Sequence, residues 1–189
     1  MEEEYYKTKA SVAEYIRLAK DVNGADLIDK LKAILPANSS VLELGSGPGS
    51  DWEILSRTYK VWGSDFSDHF LDHLRKVHPT GTFLTLDAST LQTDMRFDGI
   101  YSNKVLHHLT DKDLQQSAAR QADILHPKGI ICHSFWKGEG SETFKGMFVN
   151  YHNEEVLKDL FDEHFEILLL ESYAEFEDGD SLLLIGRKK

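Results

Sequence analysis

Gly45, Gly47 and Gly49 follow the apolar run Val41–Leu44 at every second position, and a strand leading into such a loop is a place for ligand chemistry. Glycine has no Cβ, so the chain can turn sharply at positive φ and let a small molecule approach its backbone. Residues 51–58 (DWEILSRT) can begin a helix, which would aim loop N–H groups at the ligand in the manner of a nucleotide site. A dinucleotide fingerprint would place its third glycine at position 50, which is Ser50; here that glycine comes one residue early, and Glu43 stands two before the first. The same residues also suit a tight strand-to-helix turn that binds nothing. Asp65, twenty residues after Gly45, Asp87 and the pair His107-His108 are the other groups whose types could do chemistry, the histidines because they titrate near neutrality.

The elements that must position these groups can be read from periodicity. Amphipathic helices are expected over 11–21 and 25–35, with Pro36 ending the second. A strand at 40–45 precedes the glycine loop and a helix at 50–58. Further strands are expected at 60–65, 82–86, 97–102 and 129–136, with helices at 66–77, 111–125 and 153–162. Phe70, Leu74 and Val77 should face inward from the 66–77 helix. Pro127-Lys128-Gly129 should turn the chain into the fifth strand, with Gly129 making the turn. Strands alternating with helices imply right-handed crossovers and a mostly parallel sheet covered on both faces, an α/β fold. The last two apolar stretches, 164–172 and 180–187, are separated only by an acidic turn and should form an antiparallel hairpin.

At 189 residues the chain fits one domain with one continuous core. The net charge of −11 repels a phosphate backbone, and Lys and Arg are scattered, so nucleic acid is not an expected partner. Cys132 is the one cysteine, set among apolar residues, which suggests a buried thiol and a reducing cytoplasm. The amino terminus has no secretory pattern and no apolar run approaches a membrane span, so a soluble protein with no membrane partner is expected.

Taken together, the run E-L-G-S-G-P-G at 43–49, Asp65, Asp87 and the segment FDGIYSNKVLHHL at 97–109 match in order and spacing a pattern known from one family. The chain resembles the class I S-adenosylmethionine-dependent methyltransferases of small-molecule type over roughly residues 25–189. The segment ILHPKGIICHSFW at 124–136 resembles that family's turn and fifth strand, with Lys128 where a glycine usually stands.

The resemblance implies a Rossmann-like, seven-stranded, mostly parallel sheet of order 3-2-1-4-5-7-6 with an antiparallel last strand and helices on both faces. It implies S-adenosyl-L-methionine as cofactor and a small-molecule substrate as methyl acceptor. The cofactor-binding residues it implies are Glu43, Gly45, Ser46, Gly47, Gly49, Asp65, Phe66, Asp87, Ala88 and Asn103, with Tyr15 folding over the cofactor from an N-terminal lid at 1–24. Asp65 would accept from the ribose hydroxyls, Asp87 and a neighbouring N–H would read adenine, and Phe66 would wall the adenine face. Asp65 and Asp87 are equally suited to capping a helix or turn, and Phe66 to the core.

His107 and His108 are the candidate catalytic bases, needed only if the acceptor must lose a proton; otherwise they pack on the cofactor or bond backbone. Lys104, an unfavourable neighbour for a cationic sulfonium, either points outward, the favoured expectation, or meets an anionic substrate. The connection 137–153 offers Phe144, Met147, Phe148 and Tyr151 as a cap over the acceptor.

Metal is not expected. His69 and His73 are four apart on a helix but lack the Glu that a zinc-protease pattern needs after the first His. A nicotinamide-dependent oxidoreductase would share the glycine loop and Asp65, but not the early third glycine or the 103–109 run. A non-catalytic module that binds the same cofactor remains open as an alternative.

Overall fold

The apolar runs of the sequence form the buried middle of one seven-stranded sheet in the computed structural model, which describes residues 8–20, 22–144 and 146–189. The strands are β1 (Ser40–Leu44), β2 (Lys60–Asp65), β3 (Thr82–Thr85), β4 (Phe97–Asn103), β5 (Leu125–Trp136), β8 (Phe165–Tyr173) and β9 (Ser181–Lys188). Between β5 and β8 a separate two-stranded hairpin is built from β6 (Ser141–Phe144) and β7 (Met147–Asn150). The sheet order is β3-β2-β1-β4-β5-β9-β8, which, counted over the sheet strands alone, is 3-2-1-4-5-7-6. Pairings from β3 through β5 are parallel, and β9 runs antiparallel to both β5 and β8.

Side-chain alternation along the strands divides the core into two layers. Leu42, Leu44, Ile131, Phe135, Leu182 and Leu184 pack on one face with α5 (Asp111–Ile124) and α6 (Glu154–Phe161). Val41, Tyr101, Ile130, Cys132, Leu183 and Ile185 pack on the other with α2 (Ala25–Lys32). The helices α3 (Ser50–Ser56) and α4 (Asp68–Val77) enclose a smaller cluster around Trp52, Leu71, Leu74 and Phe83. α1 (Lys9–Leu18) is capped by Thr8, whose hydroxyl accepts from Ser11 N–H, and leans on α4 through Tyr15 and Phe70.

Three expectations are corrected. Val77, the last residue of α4, is exposed, and Leu71 takes the inward place beside Phe70 and Leu74. β5 begins at Leu125, and the turn at 127–129 is a bulge within it: Phe97 pairs with Leu125 but Gly99 with Ile130. There the left-handed residue is Lys128 (φ 64°), while Gly129 sits in close surroundings, where a Cβ would lie 2.9 Å from Leu125 Cδ2 and 3.0 Å from His126 O. The connection 137–153 is not an irregular loop but carries the β6–β7 hairpin, whose base is closed by pairing of Lys137 with His152. Among the described residues no helix is long and apolar enough to cross a membrane.

Candidate functional site

The carboxyl ends of β1, β2 and β4 meet at the glycine loop, and each glycine in it has a different reason to be there. Gly45 (φ 62°) lies against Val105, where a Cβ would come within 2.5 Å of Cγ2. Gly49 (φ 91°) caps α3 against Leu74. Gly47 (φ 48°) faces open space: a Cβ there would meet nothing nearer than Gly45 O at 3.9 Å and Tyr15 Cε1 at 4.0 Å. Its backbone is thus approachable from the side that Tyr15 overlooks.

The loop is tied to β2 through polar contacts. Ser46 N–H donates to Ser64 O at 2.8 Å, Ser64 N–H donates to Ser46 Oγ at 3.1 Å, and Ser46 Oγ donates to Glu43. Gly47 N–H donates to Asp65 Oδ2 at 3.0 Å, and Ser67 N–H to Asp65 Oδ1 at 2.8 Å. Asp65, almost fully buried, is pushed up from the usual carboxylate range by desolvation, an effect opposed by these N–H bonds. Glu43 is pushed up to about 8, first by burial and then by the neighbouring charges of Asp51 and Asp65. At neutral pH Glu43 therefore keeps its proton beside Asp51 and Asp65, and a cation nearby would favour its release.

Asp51, absent from the residues expected on sequence, is the hub of the site. From the first turn of α3 it accepts from Gly24 N–H at 2.6 Å, Tyr101 Oη at 2.7 Å and Asn103 Nδ2 at 3.1 Å. Burial and Asp51 together raise the Tyr101 phenol well above its ordinary value, keeping it a donor. Asn103 is held from its other side by Ser134 Oγ. Gly24 is required by contact: a Cβ would fall 2.1 Å from Tyr101 Oη and 2.8 Å from Asp51 Oδ2. The chain between α1 and α2 is thereby fastened onto the carboxyl edge of the sheet. Residues 1–7 and 21 of the expected lid lie outside the described residues.

Asp87 and Ala88 follow β3, where Leu86 N–H donates to Asp65 O at 3.2 Å. Asp87 is exposed, and its Oδ1 accepts from Ser89 N–H at 2.7 Å and Ser89 Oγ at 2.6 Å, the turn cap that its residue type allows. Phe66 is 58% exposed at the β2 end and so is no part of the core.

On the other flank, a 3-10 turn at Leu106–His108 presents the two histidines, with ring centroids 4.1 Å apart. His107 is 3% exposed, and its Nδ1 has no hydrogen-bond partner among the described residues. Burial, then the neighbouring His108 and Lys104, hold its pKa well below the usual imidazole value. His108 Nδ1 lies 2.7 Å from Phe148 O of β7; a carbonyl only accepts, so Nδ1 carries the proton. Burial lowers His108 too, with Phe148 opposing.

Lys104 does not point outward as expected. Its Nζ donates to Phe135 O at 3.0 Å and to Ser181 Oγ, and sits 3.7 Å from the Trp136 ring centroid. Its backbone (φ 55°) is left-handed, which turns the side chain back over the ends of β5 and β9. Burial lowers it to about 8. Among the described residues no three His, Cys, Asp or Glu side chains are grouped to hold a metal ion.

Comparison with known proteins fits this geometry. The methyltransferase domain family matches residues 41–129, from β1 to the turn inside β5. Trans-aconitate 2-methyltransferase of Variovorax paradoxus is 34% identical over 101 residues, 51% of this chain and 38% of that protein. An uncharacterised methyltransferase of Oceanobacillus iheyensis is 30% identical over 97 residues, 50% of this chain and 46% of that protein. The matched stretches thus span less than half the length of either relative. The Burkholderia thailandensis 1,6-didemethyltoxoflavin-N1-methyltransferase, solved with 1,6-didemethyltoxoflavin and S-adenosylhomocysteine, superposes over 96% of this chain and 87% of its own with a TM-score of 0.77 at 21% identity, a likeness of fold. The match that runs from the glycine loop through the His107-His108 segment makes this part of the chain similar to the methyltransferase domain family.

Proposed function

We propose that the chain binds S-adenosyl-L-methionine along the edge formed by β1, β2 and β4 and transfers its methyl group to a small-molecule acceptor. The observation that carries this reading is the open cradle over Gly47, flanked by the buried Asp65 carboxylate and overlooked by Tyr15. When bound, the cofactor supplies an electrophilic methyl on a cationic sulfonium. In this reading Gly45, Ser46, Gly47 and Gly49 shape the cradle and Asp65 accepts from the ribose hydroxyls. Asp87, the Ala88 backbone and Phe66 take the adenine, while Glu43 and Asn103 act with Asp51 at the charged end. The crowded carboxyls of Glu43, Asp51 and Asp65 suit a cation, which would favour release of the proton that burial holds on Glu43.

His107 and His108 are the proposed catalytic residues. Both are held neutral by burial, so each can take a proton from the acceptor but brings no positive charge against the sulfonium. The groups acting on His107, namely His108, Lys104 and His152, are cationic when charged, which favours a neutral or anionic acceptor over an ammonium. The segment up to residue 24 acts as the lid and 137–153 as the substrate cap, whose Phe148 carbonyl orients His108. In-line placement of the acceptor is the main task of these residues, since positioning alone can lower a barrier by about 7–11 kcal/mol. The whole chain works as one domain, and its one buried cysteine suits a reducing cytoplasm.

Titration calorimetry with S-adenosylhomocysteine and with NAD tests the binding step: the first should bind and the second should not. Incubation with methyl-labelled cofactor and a metabolite extract tests catalysis. Binding without any labelled product would favour the non-catalytic alternative.

A further inference from the structure

Four polar side chains with no exposure, Ser102, His133, Gln121 and Ser117, form one hydrogen-bonded line between β4, β5 and α5. Ser117 Oγ donates to Ala88 O at 2.6 Å and accepts from Gln121 Nε2 at 3.1 Å. That orientation leaves Gln121 Oε1 facing His133 Nε2 at 2.7 Å, so Nε2 must carry the proton. Burial keeps His133 neutral, and its bare Nδ1 accepts from Ser102 Oγ at 2.8 Å. Every proton in the line therefore points the same way, toward the Ala88 carbonyl, an arrangement in which each bond polarises the next.

The two ends of the line have different neighbours. Ser102 precedes Asn103, which is bonded to Asp51 at the charged end of the site. Ala88 lies beside Asp87, whose Oδ1 is taken by Ser89 while its Oδ2 carries no hydrogen bond among the described residues. One turn along α5, Arg120 Nη2 donates to Leu91 O and Thr93 O at 3.1 and 3.2 Å, so the same helix holds three carbonyls of the connection 87–93. Apolar side chains of similar volume would fill such a buried space without loss of stability. What they could not do is fix the direction of the Ala88 carbonyl, and with it the aim of Asp87 Oδ2.

We propose that the line Ser102–His133–Gln121–Ser117 positions the adenine end of the cofactor site, with Ser117 as the residue that sets the Asp87–Ala88 turn for reading an exocyclic amine. The proposal rests on the cofactor reading above. Ser117, Gln121 and His133 touch no ligand in it and act through Ala88.

The test compares S-adenosylhomocysteine with S-inosylhomocysteine, which has a carbonyl in place of the amine, by calorimetry on the full chain and its Ser117→Ala and Gln121→Met variants. Thermal unfolding of each is followed in parallel. Wild type should prefer the adenine compound at least about tenfold. Ser117→Ala should narrow that ratio to about threefold or less, mainly by weakening the adenine compound. Gln121→Met, which keeps the Ser117–Ala88 bond, should fall between. A cooperatively unfolding Ser117→Ala protein with the wild-type ratio overturns the proposal; if that variant does not fold, a wild-type ratio in Gln121→Met does so. Equal binding of both compounds by wild type overturns the proposal and leaves the cofactor reading standing, whereas binding of neither overturns both.

Discussion

Replacing Gly47 and Gly45 separately by alanine distinguishes a ligand cradle from a tight turn. Both residues have positive φ, so a Cβ at either costs about 1–2 kcal/mol of backbone strain. At Gly47 that is nearly the whole structural cost, because the nearest atoms to the added methyl are 3.9 and 4.0 Å away, ordinary contact distance. For a chain of this size, about 2–4 °C is lost per kcal/mol, so Gly47→Ala should melt about 2–8 °C lower and remain folded. At Gly45 the methyl would also lie 2.5 and 2.8 Å from the Val105 methyls, adding overpacking of about 1–3 kcal/mol and roughly doubling the fall. The binding effect should not follow that order. If the cofactor lies over Gly47, the new methyl intrudes on it, and S-adenosylhomocysteine affinity should drop at least about 100-fold, close to 3 kcal/mol. Thermal unfolding without ligand and calorimetry with S-adenosylhomocysteine give the two readouts. A Gly47→Ala protein that melts as expected yet binds within threefold of wild type would refute the cradle.

Asp65→Ala should weaken S-adenosylhomocysteine binding by about 1.5–3 kcal/mol, the range for a lost bond to a charged group, read as a change in dissociation constant. Because Glu43 is raised from 4.5 to about 8 in the folded chain, folding retains a proton that the unfolded chain has lost over that interval. Stability should therefore fall as pH rises from about 5 to about 8, by up to about 1.4 kcal/mol per pH unit, and Glu43→Gln should flatten the trend in urea unfolding. By the same logic S-adenosylmethionine, a cation, should release part of a proton on binding at pH 7, seen as buffer-dependent calorimetric heats that vanish in Glu43→Gln. His107→Ala and His108→Ala should leave cofactor affinity within about threefold while labelled-methyl turnover falls about 10²–10⁴-fold for whichever is the base.

The sheet was legible because its strands are apolar runs separated by helices with clear stripes, such as Leu114, Ala118 and Ala122, and because β1 flows into the glycine loop. Asp65 was legible for the same reason: its place is set by local spacing after Gly45. Asp51 was not, since its partners Gly24, Tyr101 and Asn103 lie 27, 50 and 52 residues away and leave no periodic trace. Lys104 misled because repulsion from a cationic sulfonium argued for solvent, whereas a left-handed backbone swung it onto Trp136. The β6–β7 hairpin did leave a signal, a two-residue connection ending in Gly146 between Phe144 and Met147. The line from Ser102 to Ala88 needed the fold, because its members come from three elements that only the packed sheet and α5 bring together.

Crystals of the chain grown with S-adenosylhomocysteine test the central claim most directly. The account predicts density for the adenosyl group with its ribose hydroxyls on Asp65 and its remaining chain passing over Gly47 toward Asn103. Density lodged instead among Thr93, Arg96 and Arg120, a cavity of about 230 Å³ lined by those side chains, or a cradle over Gly47 closed by Tyr15, would contradict it.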